Sequence, residues 1–166
     1  MGRVKTSNRA KTIRRTGAGI IAALAAVTLS SCALLAGPVP NTPERETAPV
    51  PEVAPELVPD GSAEENLPYF TEVLRGFSEG AEEVRGQQVS TAVIEAGFPR
   101  ENMQVSFDKT KTDLVADAIY VSVKIDDSCL LGQVMTEDRS FVARVDPAVG
   151  PNNDICLIGQ TRVIDW

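Results

Sequence analysis

Histidine is absent from this chain of 166 residues, and aromatic residues make up only 5% of it. Without histidine the chain cannot build Ser-His-Asp or Cys-His catalytic sites, histidine metal sites or the usual switch near neutral pH. It also lacks a Cys-x-x-Cys pair and a glycine-rich loop with nucleotide-binding spacing. We therefore expect no enzyme activity, no cofactor and no metal, and we assign no catalytic, cofactor-binding or metal-binding residue.

Acidic residues are absent before Glu44, and the chain begins with a basic segment. An apolar run, GAGIIAALAAVTL, follows at residues 17–29 and ends in Leu29-Ser30-Ser31-Cys32. A basic region, an apolar region and small residues at a cleavage site are the parts of a secretory signal peptide. Leucine three residues before a cysteine, with two small residues between them, is the lipobox pattern. The pattern predicts a lipoprotein signal peptide over residues 1–31 and an acyl (palmitate) anchor on Cys32.

Two other interpretations of this segment remain open. Cys32 could be an incidental residue that is never acylated. The segment could also be an uncleaved signal anchor, because no charge lies between Thr16 and Pro43 and about 20 apolar residues can cross a bilayer. In either case the basic residues stay on the cytoplasmic side. We expect the rest of the chain on the extracytoplasmic face of the cell membrane, with the lipid bilayer as a partner through the acyl anchor.

The charge balance beyond Cys32 is strongly negative. All 23 acidic residues follow this position, against ten Lys and Arg, so the processed chain would have a net charge of about −13. Binding to nucleic acid requires Lys and Arg on the protein side, so we expect no nucleic-acid partner. An anionic membrane surface would also repel this chain unless a covalent anchor held it there.

Proline is concentrated between the apolar segment and the first helical pattern. Proline removes backbone donors and fixes φ, which opposes both helix and sheet. We therefore predict a lipidated, disordered, Pro-rich tether over residues 32–63 and one folded domain over residues 64–166. The prolines of the tether are Pro38, Pro40, Pro43, Pro49, Pro51, Pro55 and Pro59.

Apolar spacing within the folded domain changes from helical to strand-like at Pro99. A period of 3.6 predicts two helices, the second ending at Gly97. A period of 2 after Pro99 predicts half-buried strands with one wet face. The helical positions are Leu67, Phe70, Val73, Leu74 and Phe77, then Val89, Ala92, Val93 and Ala96. The strand positions are Met103, Val105 and Phe107, then Ile119, Val121, Val123 and Ile125, with a further segment at 141–145.

Two similar segments, DSCLLGQ at 127–133 and DICLIGQ at 154–160, place Cys129 and Cys156 at equivalent positions. We expect both segments to be strands, each glycine marking a bulge or a close backbone approach. In an oxidising compartment these two cysteines should form a disulfide. Strands on either side of a third strand are too far apart for that bond. The two strands should therefore be neighbours, or the bond should join their frayed ends. Replacing Cys129 with serine should then lower the melting temperature markedly.

The remaining polar clusters have simple structural interpretations. Asp126-Asp127 and Glu82-Glu83 should be solvated charges at turns or helix ends. The acidic loop at 146–154 lacks EF-hand spacing, and its Asn-Asn-Asp sequence is typical of turns. Trp166 is expected to pack on the core, although an exposed Trp166 would suggest a sugar-binding platform.

The Ala96-Gly97-Phe98 sequence, the paired C-L-[LI]-G-Q segments and the final Ile164-Asp165-Trp166 lie within the stretch 67–166. This stretch resembles a family of small uncharacterised actinobacterial lipoproteins. The resemblance implies a location in the cell envelope and brings no activity.

These observations predict an α+β fold with two N-terminal helices packed on a four- or five-stranded antiparallel sheet and one disulfide. We expect a non-enzymatic interaction or accessory module of the cell envelope, whose partner is an unknown envelope protein or wall component. The alternative is a ligand-binding or solute-sensing surface domain with a pocket between helices and sheet. An exposed apolar patch would favour the first function, and a closed pocket the second.

Overall fold

A computed structural model describes residues 48–166, so the predictions for the signal peptide and for Cys32 lie outside the described residues. The predicted fold class is confirmed: two helices between residues 63 and 95 precede a five-stranded antiparallel sheet. The helices are α1 (Ala63–Glu79) and α2 (Gly86–Glu95), followed by a 3₁₀ turn (Arg100–Asn102). The strands are β1 (Met103–Ser106), β2 (Ala118–Ile125), β3 (Ser128–Met135), β4 (Phe141–Pro147) and β5 (Thr161–Arg162).

Helix α1 begins with a capping box. The Ser62 hydroxyl accepts from the Glu65 N–H at 3.2 Å, and the Glu65 carboxylate accepts from the Ser62 N–H at 2.8 Å. These bonds occupy two of the backbone donors that every helix start leaves free. Because the helix starts at Ala63, Pro68 lies in its second turn.

Helix α2 is capped from a distant part of the chain. Its N-cap residue, Arg85, makes no side-chain cap, and the Asp108 carboxylate instead accepts from the Gly86 N–H at 2.6 Å. At the other end Gly97 takes the left-handed conformation with φ of 100°, which confirms it as the helix stop. The start of α2 therefore depends on a residue that follows β1.

The strands are arranged in the order β4-β3-β2-β1-β5, and every neighbouring pair is antiparallel. β2 and β3 form a hairpin in which Val121 lies opposite Gly132. Both helices pack on one face of the sheet, α1 against β3 and β4 and α2 against β1 and β2. The other face, which we call the outer face, has no helix on it among the described residues.

The core lies between the helices and the sheet. Phe70 and Leu74 of α1 are fully buried and approach Gly132 so closely that a Cβ there would lie 2.7 Å from a Leu74 methyl and 3.1 Å from the Phe70 ring. Gly132 thus marks the close approach that the sequence predicted as one of two possibilities. The prediction for Phe107 was wrong: it follows the end of β1 and is 48% exposed.

Residues 48–62 contain no helix or strand, yet they contact α1. The Arg75 guanidinium donates to the carbonyls of Ala48 and Pro49, at 2.9 and 3.2 Å. The buried Asn66 side chain accepts from the Val58 N–H at 2.9 Å and donates to the Val58 carbonyl at 3.1 Å. The end of the Pro-rich segment is therefore bound along the helix, while the tether prediction for residues 32–47 lies outside the described residues.

Candidate functional site

The connection from β4 to β5 must cross the sheet, because these strands lie at opposite edges. We call residues 148–160 the crossing loop. Side chains alternate between faces along a strand, so Cys129 lies on the outer face, next to the core-facing Leu130. The crossing loop is bonded to Cys129 and therefore passes over the outer face, opposite the helices.

A disulfide between Cys129 and Cys156 attaches the crossing loop to β3, and its Cα atoms are 5.6 Å apart. The predicted bond is confirmed, but both predicted arrangements were wrong, because it joins a strand to a loop that crosses over it. The expected strand at 154–160 is also absent: Ile155 forms only an isolated bridge with Val149, and residues 156–159 form a bend. Gly159 has a φ of 122° there, which suits the bend rather than a strand.

Gln104 of β1 provides a second attachment for the crossing loop. Its side-chain oxygen accepts from the backbone N–H groups of Cys156 and Leu157 at 3.0 and 2.9 Å. Its side-chain nitrogen donates to the Asp154 carbonyl at 3.2 Å. One side-chain amide therefore bonds three backbone groups of a segment that forms no strand and has no β-ladder hydrogen bonds. Ser122, the neighbour of Gln104 on the outer face, is fully buried, so this end of the face is not solvated.

A groove of about 680 Å³ lies between the crossing loop and the uncovered part of the outer face. Its floor includes Tyr120, Leu131 and Gln133, and Leu157 and Ile158 of the crossing loop also line it. Its further lining residues are Ser106, Gly132, Val142, Arg144, Asp146, Pro147, Val149, Cys156, Gln160 and Thr161. Volumes of roughly 300–1,000 Å³ are typical of ligand sites.

Large apolar side chains are exposed along this groove. Ile158 is 90% exposed and Tyr120 is 44% exposed, and Val149, which also lines the groove, is exposed too. Gln104 and the disulfide hold the backbone at residues 154–157, directly before Ile158. The groove therefore has the sheet as its floor, the attached crossing loop as its wall and exposed apolar side chains along it.

The charged lining of the groove is one ion pair. The Arg144 guanidinium lies 2.8 Å from the Asp146 carboxylate, and both residues are on β4. No other charged residue lines the groove among residues 48–166. The groove is consequently close to neutral in a domain with many more carboxylates than basic groups.

The carboxylate clusters singled out in the sequence lie apart from this groove, except for Asp146. Asp126 and Asp127 form the turn between β2 and β3, with Asp126 at a φ of 50°. Glu82 and Glu83 lie between the helices, and Glu83 pairs with Arg85 at 2.7 Å. Within residues 48–166 no group of three potential metal-ligating side chains comes together.

Trp166 packs against the core, as expected. It is half-buried, and the Arg162 guanidinium lies 4.6 Å from the centre of its ring. Arg162 also pairs with Asp108 at 3.0 Å, so the chain end is connected to the residue that caps α2. Trp166 therefore has a packing role and does not line the groove.

Three important residues were not recognised from the sequence. Gln104 and Asp108 occupy polar positions of a strand and of a connection, and a polar position shows only that a residue points outward. Arg139 donates to the carbonyls of Phe77 and Ser78, which are acceptors at the end of α1, and to the carbonyl of Glu82 beyond it. Its left-handed conformation, with φ of 60°, is uncommon for arginine and has no sequence signal.

The chain matches a known family over much of its folded domain. A family described as Domain of unknown function (DUF6993) matches residues 74–160. The match spans both bonded cysteines, Gln104 and the whole crossing loop. No curated protein and no solved structure matches the chain. Across residues 48–166, none of the helices has the length and apolar character needed to span a bilayer.

Proposed function

We propose that this chain, which belongs to the DUF6993 family, is a lipid-anchored extracytoplasmic protein whose domain binds an envelope partner without catalysing a reaction. The lipobox at Cys32 supports the anchor. The lack of histidine supports a non-enzymatic role, because histidine is the side chain that most often acts as the general base in catalytic sites. The partner would be an envelope protein or a wall component.

One observation carries the binding role: the crossing loop is fixed over the outer face and leaves a groove with exposed apolar side chains. A disulfide and a three-bond amide contact both hold this loop. Ile158 projects into solvent from this loop, and the exposed side chains of Tyr120 and Val149 line the same groove. Exposed apolar side chains that are grouped in this way, and not scattered singly, mark interaction sites. The groove is therefore the surface that we assign to the partner.

The alternative, a solute-sensing domain, has less support. It was expected to use a pocket between the helices and the sheet, but side chains such as Phe70, Leu74 and Val121 fill that space. The groove lies on the opposite face and opens to solvent at Ile158. An open groove on a bound loop favours contact with a large partner over enclosure of a small solute.

The experiment is site-specific photocrosslinking in the native cell envelope. A benzophenone amino acid replaces Ile158, and a matched variant carries it at Leu114, which is 66% exposed and does not line the groove. We expect a defined product at position 158 and none at position 114. An excess of purified chain covering residues 33–166 should abolish the product.

The competition also tests the geometry of the groove. A purified competitor with both Cys129 and Cys156 replaced by serine should compete less well, because its crossing loop has lost the covalent attachment. Equal products at positions 158 and 114, or no product at either position, would contradict the assignment of this surface.

A further inference from the structure

The groove crosses the strands instead of running along them. Its lining residues come from all five strands, including Ser106 of β1, Tyr120 of β2 and Val142 of β4. Neighbouring strands lie about 4.8 Å apart, so the floor measures roughly 19 Å from β4 to β5. A ligand that fills the groove is therefore elongated and lies across the sheet.

This direction restricts how a ligand can be recognised. The interior strands use their backbone groups in the ladders with their neighbours. An extended peptide adds to a sheet through the free backbone of an edge strand, and in this groove such edges lie only at the two ends of the floor, at β4 and β5. Recognition inside the groove therefore depends on side chains.

Apart from one ion pair, the polar side chains of the groove are neutral hydrogen-bonding groups around one aromatic ring, and aliphatic side chains such as Leu131, Val142 and Leu157 lie among them. Among the described residues, no other protein group bonds the side-chain amide of Gln160 or the hydroxyls of Tyr120 and Thr161. The Gln133 amide contacts only the Met135 sulfur, at 3.4 Å. Amides and hydroxyls can both donate and accept, which matches a ligand that carries many hydroxyl groups. The exposed Tyr120 ring offers a flat apolar face beside them.

The charges of the groove point to a neutral ligand. Arg144 and Asp146 neutralise each other, so neither presents an uncompensated charge. The acidic excess of the domain repels polyanions over a distance of several ångströms. Neutral hydrogen-bonding side chains, one aromatic face and an elongated shape together describe a site for a neutral sugar chain.

We propose that the groove binds a neutral oligosaccharide, with one pyranose ring stacked on Tyr120 and its neighbours hydrogen-bonded to Gln133 and Gln160. This inference rests on the proposed function and names the wall component as a glycan. The stacked ring would place its apolar C–H face on Tyr120. Its hydroxyl groups would meet the two amides on either side.

The test is an NMR titration of ¹⁵N-labelled residues 33–166 with a tetramer of β-1,4-linked N-acetylglucosamine. We expect saturable shifts of the amide signals at Tyr120, Gln133 and residues 157–160. Tyr120→Ala should weaken binding roughly three- to tenfold, the range expected for the loss of one ring contact. Tyr120→Phe should bind like the wild type, because the ring is retained.

A matched control is Tyr69→Ala, since Tyr69 lies in α1 on the other face and bonds the Ala96 carbonyl. This variant should keep wild-type affinity if it remains folded, as its amide spectrum will show. Three outcomes would overturn the glycan assignment: no shifts at about 10 mM tetramer, shifts confined to surfaces outside the groove, or equal affinity of Tyr120→Ala and wild type. If crosslinking at position 158 succeeds while the titration fails, the binding groove stands and the glycan does not.

Discussion

At the scale of single residues, the capping box at the start of α1 couples helix stability to pH. The bonds that Glu65 accepts from the Ser62 backbone, and then from the Ser62 side chain, hold the pKa of this carboxyl below its ordinary value. A carboxyl with a lowered pKa in the folded state stabilises that state above its unfolded pKa, about 4.3. The contribution is then lost as the pH falls through the lowered pKa.

We therefore predict that Glu65→Gln makes α1 less sensitive to acid. The melting temperature of the wild type should fall between about pH 5 and pH 3. The melting temperature of the variant should fall less over the same range, because glutamine has no proton to bind at this position. Differential scanning calorimetry at a series of pH values measures this difference. Glu64→Gln is the matched control, since Glu64 is in the same helical turn but has no part in the capping box. Identical pH profiles for Glu65→Gln and wild type would contradict the coupling.

Single residues also show where sequence reasoning stops. Helix and strand positions such as Phe70 and Val121 were predicted correctly because their spacing reflects a local alternation between core and solvent. Gly132 and Gly159 occupy equivalent positions in two similar sequences but have different structures. Gly132 is in a strand under Leu74, while Gly159 is in a bend with no atom within 4 Å of an added Cβ. Tertiary contacts decide between these structures, and a short local sequence does not contain them.

At the scale of elements, the crossing loop is the part of the fold that the sequence did not predict. The cysteine pair predicted a bond, but nothing in the chain indicated that residues 148–160 would pass over the sheet instead of forming a strand within it. The groove exists because of this path, so it was not predicted either. Two of the loop's attachments, the disulfide and Gln104, lie next to each other at Cys156.

We predict that these two attachments are energetically coupled. Replacing Cys129 and Cys156 with serine should cost about 3–4 kcal/mol of unfolding free energy, from the loop that the bond closes. Gln104→Ala should cost about 1–3 kcal/mol in the bonded protein, because three backbone groups lose their partner. In the bond-free protein it should cost less, since the loop is already free to leave the outer face. Urea unfolding of the four proteins in this cycle measures the coupling.

The control for this cycle is Gln133→Ala, another outer-face glutamine whose amide contacts only the Met135 sulfur. It should change the unfolding free energy by less than about 0.5 kcal/mol, as is usual for surface substitutions. If the losses of unfolding free energy caused by removing the disulfide and Gln104 are additive, each attachment holds a separate part of the loop. That result would contradict the predicted energetic coupling around Cys156.

At the scale of the whole molecule, the described domain and the N-terminal segment have opposite charges. The six basic residues before the apolar run are followed, beyond Cys32, by a chain of net charge about −13. Such a chain gains nothing from an anionic membrane surface, and the helices described within residues 48–166 cannot span a bilayer. We propose that attachment uses residues 1–32, either through acyl chains on Cys32 or through an uncleaved apolar segment.

Intact mass spectrometry of the protein purified from its native membrane distinguishes these two cases. We predict a chain that begins at Cys32 and is heavier than its sequence by a diacylglyceryl group, with or without a further acyl chain. Reduction should add two hydrogens, from the bond between Cys129 and Cys156. Cys32→Ser is the matched variant, which should lose the lipid mass and still gain two hydrogens on reduction. An unmodified wild-type chain that retains residues 1–31 would identify a signal anchor, and the domain would then be held by a protein segment and not by a lipid.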